Sequence, residues 1–286
     1  MKIAADWKDY EVLASGDGNK LERWNDIILL RPDPQVIWKA RTDMKGYKGL
    51  TAVYNRSESG GGAWLFNAPV PDDFTVGWRN LKFSLKLMGF KHTGLFPEQA
   101  VNWARMIDLI KNAGRPISVL NLFGYTGGAT VACASVGAEV CHVDAAKAMV
   151  DRCKDNMQLS NVRTPVRYIV DDCFKFVERE IRRGKKYDAI IMDPPSFGRG
   201  PKGEKWKLEE CLDGFVGLTA QLLLDKPLFI LINSYTTGLQ PAVIKNILML
   251  NLKDKKGSFE ADEIGLPTKE GIVLPCGCSG WFVGER

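Results

Sequence analysis

The sequence predicts an α/β protein with a parallel, doubly wound sheet, preceded by a small β-rich region. Three observations predict it. From residue 117 onward, short apolar runs alternate with helical patterns at a spacing that suits parallel strands joined by helices. The first run, Ile117 to Leu122, breaks into Phe123-Gly124-Tyr125-Thr126-Gly127-Gly128 and then an Ala/Val-rich helical pattern. Acids also stand at or just after the ends of three later runs: Asp144, the pair Asp171 and Asp172, and Asp193.

Residues 1–90 read differently. Short strand-like runs at Tyr10 to Leu13, Ile27 to Leu30, Val36 to Trp38, Ala63 to Phe66 and Leu81 to Leu85 are separated by Gly/Asp/Asn/Pro turn signals. Five of the eight tryptophans (Trp7, Trp24, Trp38, Trp64 and Trp78) fall in this region. They either present exposed rings to a substrate or fill a thin core. Residues 91–286 form the second region. It opens on Lys91 to Gln99, where Pro97 and Glu98 suit a first helical turn, and runs into a helix from about Ala100 to Asn112. His92 in this segment reads as a hydrogen-bonding loop residue.

The alternation that follows is regular. Strands are expected at 117–122, 139–143, 166–170, 188–192 and 228–232, and helices at 127–136, 145–158, 173–183, 207–223 and 240–250. Glu260 to Leu266 and Gly280 to Val283 then read as two strands with no helix between them, a terminal hairpin. The stretch 198–207 is glycine-rich and basic, and suits either phosphate contact or a mobile connection.

Composition sets bounds. The 286 residues are 45% hydrophobic and 26% charged, ordinary for a globular protein, and no apolar run is long enough to cross a bilayer. Seven scattered cysteines and no signal-peptide pattern lead to the expectation of a cytoplasmic protein without a membrane partner. A net charge of +5 permits an anionic partner such as RNA. Cys276 and Cys278 form a lone C-x-C without a second ligand pair, so no metal site is expected; Cys211 reads as packing.

In an open α/β sheet, ligands bind outside the carboxyl ends of the strands. Asp144 lies 20 residues after Gly124, the spacing at which a carboxylate reaches ribose hydroxyls. Asp172 suits an exocyclic adenine amine, with Asp171 as a close rival. Asp193-Pro194-Pro195-Ser196-Phe197 must end its strand, because two prolines donate no ladder hydrogen bonds. The turn is G-x-x-G-G rather than G-x-G-x-x-G, which counts against a nicotinamide oxidoreductase.

The motifs Leu120 to Gly128, Asp144, Asp172-Cys173-Phe174-Lys175-Phe176 and Asp193 to Phe197, in that order, resemble the class I S-adenosylmethionine-dependent methyltransferases. Within them the chain is similar to the branch of the bacterial large-subunit ribosomal RNA cytosine-5 methyltransferases. The resemblance covers roughly residues 90–286. It implies a Rossmann-like, seven-stranded sheet ending in a hairpin, and a transferase that uses S-adenosylmethionine and acts on RNA. It also leaves no room for the extra N-terminal RNA-binding PUA domain of some members. Asn121, Phe123, Gly124, Thr126 and Gly127 would shape the cofactor pocket, with Asp144 on ribose and Asp172 near adenine. Phe96, Pro97 and Gln99 would close over the cofactor. Asp193, Pro194, Pro195 and Phe197 would face the methyl group and its acceptor, with Asp193 also touching the cofactor.

One departure bears on chemistry. The relatives place a cysteine just after strand five, where this chain reads Ile232-Asn233-Ser234-Tyr235-Thr236-Thr237, and Ser196 stands where another could follow the prolines. A thiolate adding to the base is therefore not expected. Two alternatives stay open: methylation of a small molecule or protein, and a catalytically idle RNA-binding module.

Overall fold

The computed structural model describes residues 1–57, 61–89, 91–199 and 205–285. The chain divides into two compact units, Met1–Val101 with Ile264–Cys276, and Asn102–Glu263 with Gly277–Arg286.

The first unit contains β1 (Lys2–Ile3), β2 (Tyr10–Gly16), β3 (Asn19–Trp24), β4 (Ile27–Pro32), β5 (Leu50–Arg56), β6 (Gly62–Phe66), β7 (Phe74–Trp78) and β8 (Leu81–Leu85). Strands β2 to β6 form a sheet in sequence order, with β4 and β5 parallel and the other neighbours antiparallel. Strands β7 and β8 make a separate hairpin. Asp17 and Gly18 both adopt positive φ, +47° and +74°, which closes the β2–β3 hairpin with the right twist.

Four strands here, β1, β3, β5 and β7, escape the sequence reading. β3 is the instructive case, because its inward face carries a charge. Glu22 is fully buried, paired with Arg31 on β4 and accepting from the Tyr10 hydroxyl at 3.1 Å. The expected strand Val36 to Trp38 does not form. Its carbonyls instead accept the Gly18 and Asp17 N–H groups at 2.8 Å each, so it braces the β2–β3 turn and joins no ladder.

The tryptophans fill the core. Trp24 and Trp78 are buried. Trp7, Trp38 and Trp64 are half-buried, and their indole N–H groups donate to the carbonyls of Pro97, Ser15 and Met88. Pro97 opens a 3-10 turn, Pro97–Gln99, that leads into helix α1 (Ala100–Lys111).

In the second unit the alternation runs β9 (Ser118–Leu122), α2 (Gly128–Ala134), β10 (Glu139–Asp144), α3 (Lys147–Leu159), β11 (Val166–Val170), α4 (Cys173–Arg182) and β12 (Ala189–Met192). A short ribbon follows, β13 (Phe197–Arg199) and β14 (Lys205–Lys207). The chain then continues through α5 (Leu208–Ala220), β15 (Phe229–Ser234), α6 (Pro241–Asn251), β16 (Gly257–Pro267) and β17 (Val273–Gly284).

The main sheet has the order β1-β16-β17-β15-β12-β9-β10-β11. The five strands from β15 to β11 are mutually parallel, and β17 lies antiparallel to β15. These are the seven expected strands with the terminal hairpin, plus β1, which pairs in parallel through Lys2 with Ile264 and Ile3 with Gly265. Leu120, Leu122, Ile190, Ile230 and Ile232 of the central strands pack with Phe176, Phe215 and Phe282 into one apolar cluster. This cluster holds the strand ends in fixed positions.

Candidate active site

The strand ends are level. Leu122 is in register with Val143 and with Met192, Met192 with Ile232, and Asp144 with Val170. The segments following β9, β10, β11, β12 and β15 therefore leave from one edge of the sheet. Connections on one side of β9 lead to β10 and β11, and on the other to β12 and β15. The point where an α/β sheet reverses its winding, between β9 and β12, is where such sheets form a ligand crevice. The Phe123–Gly127 turn and the Asp193–Phe197 exit flank it.

The turn after β9 is strained and tightly packed. Phe123 and Tyr125 have φ of +57° and +50°, a conformation uncommon for residues with a side chain and worth about 1–3 kcal/mol each. Their backbone N–H groups are bonded, Phe123 to Cys173 Sγ at 3.4 Å and Tyr125 to Asp144 Oδ2 at 2.9 Å. The glycines between and after them face protein. A Cβ on Gly124 would lie 2.4 Å from His142 Cε1, on Gly127 2.1 Å from Cys153 Sγ, and on Gly128 2.6 Å from Trp103. Gly127 also has φ of +85°. The absence of a side chain at these positions lets the turn seat against β10, α3 and α1.

Beneath the turn lies a buried polar chain that the sequence reading missed. Asn121 Nδ2 donates to Thr130 Oγ1 at 2.9 Å, and Thr130 Oγ1 lies 2.9 Å from His142 Nδ1. His142 is fully buried, and burial holds its pKa down to about 4. Asn121 is buried in this chain, and Thr126 is buried with its carbonyl accepting from Asn156 Nδ2 at 2.9 Å. The only sequence signal for His142 is its rarity, one of two histidines and the one in an apolar strand.

Asp144 ends β10 half-buried. Oδ2 accepts the Tyr125 N–H, and Oδ1 accepts the Ala146 N–H at 2.8 Å. Burial raises its pKa above the ordinary carboxylate value, with the two backbone N–H groups acting the other way. The neighbouring acids divide their roles. Asp171 pairs with Arg179 and accepts the Asp172 N–H at 2.9 Å. Asp172 caps α4, its Oδ1 accepting the Lys175 N–H at 3.0 Å.

After β12, Asp193 is half-buried and its N–H donates to Leu122 O at 3.4 Å. Pro194 is buried, while Pro195, Ser196 and Phe197 are exposed. Ser196 is fixed by the Thr236 hydroxyl at 2.7 Å, a residue just past β15. Ser196, which follows the two prolines, is thus bonded to a hydroxyl of the 232–237 stretch. Behind β15 a buried amide cluster ties α1 to the terminal hairpin. Asn102 Nδ2 donates to Asn233 Oδ1 at 3.1 Å and to Ser279 Oγ at 2.8 Å.

Phe96, Pro97 and Gln99 belong to the first unit. Pro97 and Gln99 are buried, Phe96 is half-buried, and the His92 ring lies 5.4 Å from that of Phe96. Of the basic stretch 198–207, residues 200–204 lie outside the described residues.

The second unit's edge thus offers carboxylates at three strand ends. These suit a ligand with vicinal hydroxyls and an amino group, the donors that a nucleoside carries. Residues 38–205 match the profile of an S-adenosylmethionine-dependent methyltransferase family. A crystal structure of a SAM-dependent methyltransferase from Agrobacterium tumefaciens superposes with a TM-score of 0.93 at 30% identity, covering 99% of this chain and 93% of that one. The "Putative ribosomal RNA large subunit methyltransferase" of Methanocaldococcus jannaschii is 37% identical over 205 residues, covering 66% of this chain and 51% of that protein. Ribosomal RNA large subunit methyltransferase K of Neisseria meningitidis is 29% identical over 196 residues, covering 65% and 54%. The chain therefore spans about half the length of these two relatives. Among the described residues no helix is long and apolar enough to cross a membrane. From the profile match and the full-length structural likeness, the chain belongs to the S-adenosylmethionine-dependent methyltransferase family.

Proposed function

We propose that this protein transfers a methyl group from S-adenosylmethionine to a nitrogen or oxygen atom of RNA, in the large ribosomal subunit, and that it works in the cytoplasm. The observation that carries the reading is the β12 exit. After β12 the half-buried Asp193 and the exposed Phe197 leave the same sheet edge as the turn after β9, Met192 being in register with Leu122. The names of the relatives support the choice of RNA.

The bound cofactor would supply a methyl group already activated on a sulfonium. The chain's part is to bind, orient and accept a proton. Asp144 bonds ribose hydroxyls with the lone pairs that its two backbone donors leave. Asp172 keeps one oxygen on α4 and directs the other to the adenine amine. Phe123, Gly124, Thr126 and Gly127 form the wall between them. Asp193 and the Pro194 carbonyl accept hydrogen bonds from an acceptor amine, and Phe197 stacks on its ring.

The cysteines favour a nitrogen or oxygen acceptor. Burial pushes the thiols of Cys133, Cys153 and Cys173 up to about 12 and those of Cys141 and Cys278 up to about 11. None of these is a thiolate near neutral pH.

The experiment is transfer of tritium from methyl-labelled S-adenosylmethionine to ribosomal RNA lacking modification, followed by nucleoside analysis. A labelled nitrogen- or ribose-methylated nucleoside is expected. Label found only on protein or small molecules, or as 5-methylcytosine, would overturn the reading.

A further inference from the structure

The β13–β14 ribbon is a separate small structure at the rim of the candidate site, and its two faces differ. Its register pairs Phe197 with Lys207, Gly198 with Trp206 and Arg199 with Lys205. Directly paired residues in an antiparallel ladder share a face, and so do residues two apart. Trp206 takes the inner face. Its ring centroid lies 5.8 Å from Phe123, 5.6 Å from Phe174 and 5.9 Å from Phe215, and its indole N–H donates to Pro195 O. Gly198, its cross-strand partner, packs beside Trp206 and Pro195.

With Trp206 anchored inward, the opposite face carries Phe197, Lys205 and Lys207, all exposed, and Phe197 shows 56% of its surface. An exposed aromatic flanked by cations on a strand pair is the arrangement that binds an unpaired nucleic-acid strand. The ring stacks on a base and the ammonium groups follow the phosphates. Lys207 is held by Glu210 at 2.7 Å, with both side chains more than half exposed. Such a pair is weak and opens readily for a phosphate. The other ring contact, Phe123 to Trp206, seats the ribbon on the turn after β9. A strand lying on it therefore passes beside the β12 exit.

We infer that the outer face of the β13–β14 ribbon is the docking surface for an unpaired stretch of RNA, with Phe197 stacking on a base and Lys205 and Lys207 contacting the backbone. This rests on the RNA-methylation reading above and adds which surface binds and which form of RNA.

The test uses the full chain, a fluorescein-labelled 20-nucleotide single-stranded RNA and the matching duplex, read by anisotropy across a salt series. Calorimetric titration with S-adenosylmethionine serves as the folding control. The double variant Lys205→Ala/Lys207→Ala is expected to bind the single strand about tenfold more weakly at low salt. Its log–log salt slope should be shallower by about 1.4, two phosphate contacts' worth. Lys205→Arg/Lys207→Arg restores both. Phe197→Ala weakens binding by about tenfold, with little change in slope.

If wild-type protein methylates and binds RNA but the lysine variant keeps its affinity and slope, the ribbon is refuted and RNA methylation stands. Tighter binding of the duplex than of the single strand refutes the unpaired-strand assignment. A protein that binds S-adenosylmethionine but neither binds nor methylates RNA refutes both readings.

Discussion

Acidification tests the imidazole beneath the turn after β9. His142 is fully buried, bonded through Nδ1 to Thr130, and its pKa is held down to about 4 against an ordinary 6.5. In the unfolded chain the ring takes up its proton as pH falls through about 6.5, whereas in the folded chain it stays neutral until about 4. Between these values the unfolded state binds more protons, so stability is lost as pH falls through that window. At pH 5 the unfolded ring is about 97% protonated and the folded ring about 10%, and the group alone costs about 2 kcal/mol relative to pH 7.5. The whole shift, at about 1.36 kcal/mol per unit, amounts to about 3 kcal/mol below pH 4.

Urea unfolding at pH 7.5 and 5.0 measures the loss. His92 is held down to about 4 as well, by burial and by Arg31, Lys91 and Lys20, and contributes with the same sign. The quantity of interest is therefore the difference between wild type and His142→Asn, which lacks the titration. The variant is expected to lose about 2 kcal/mol less than wild type over this range. Proton NMR of the ring Cε1–H gives the midpoint directly. A folded-state midpoint near 6.5, or equal pH sensitivity in the two proteins, would refute the argument.

Gly127→Ala combines a left-handed φ of +85° with a Cβ 2.1 Å from Cys153 Sγ, and is expected to cost about 2–4 kcal/mol in urea unfolding. Adding Cys153→Ala should recover the crowding part and leave the backbone part; a neutral single variant would show that the turn is not confined there. Asp144→Ala should weaken calorimetric binding of S-adenosylmethionine by about 100-fold, through loss of two charge-assisted hydrogen bonds, and unchanged affinity would remove Asp144 from the ribose role. Asp193→Ala is expected to lower turnover by about 100-fold or more while changing cofactor affinity by less than about tenfold. Wild-type turnover in that variant would make the β12 exit a structural stop alone.

The α/β part was legible because its central strands, β12 and β15 above all, are near-continuous apolar runs, as strands covered on both faces must be, and helices follow the parallel strands at short distance. The β-rich part was legible only where its strands are apolar. β3 reads Asn-Lys-Leu-Glu-Arg-Trp, and no periodicity shows that Glu22 is buried against Arg31 rather than facing water. Val36 to Trp38 has the residues of a strand, but a two-residue turn elsewhere in the chain claims its carbonyls. At the site, spacing located Asp144, Asp172 and Asp193 at one sheet edge because the register of parallel strands is fixed by their common core. Spacing did not separate Asp171 from Asp172; that distinction comes from Arg179, eight residues on, which engages Asp171 and leaves Asp172 to cap the helix. His142 was hidden because its partners, Thr130 and Cys153, sit on two different helices.

The turn after β9 explains why the acid at the end of β10 has more than one consequence. Three of the six residues Phe123–Gly128 are glycines, and a Cβ on any of them would run into protein. Beside the left-handed Gly127, two residues with side chains, Phe123 and Tyr125, also hold the left-handed backbone. Such strain persists only where neighbouring groups over-determine it. Asp144 is one of those groups, since Oδ2 holds the Tyr125 N–H. Removing the carboxylate therefore releases the turn as well as any ribose bond, and the two effects separate by charge. Asp144→Asn keeps an acceptor for the Tyr125 N–H while losing the anion. If it binds S-adenosylmethionine nearly as well as wild type, turn geometry is the larger part of the acid's contribution. If it binds as poorly as Asp144→Ala, the anion itself is. Phe123, held in the same turn, packs on Trp206 of the ribbon. Relaxation of the turn is thereby transmitted to the surface assigned to RNA, and Asp144→Ala is expected to loosen single-strand binding although Asp144 lies on a different strand end.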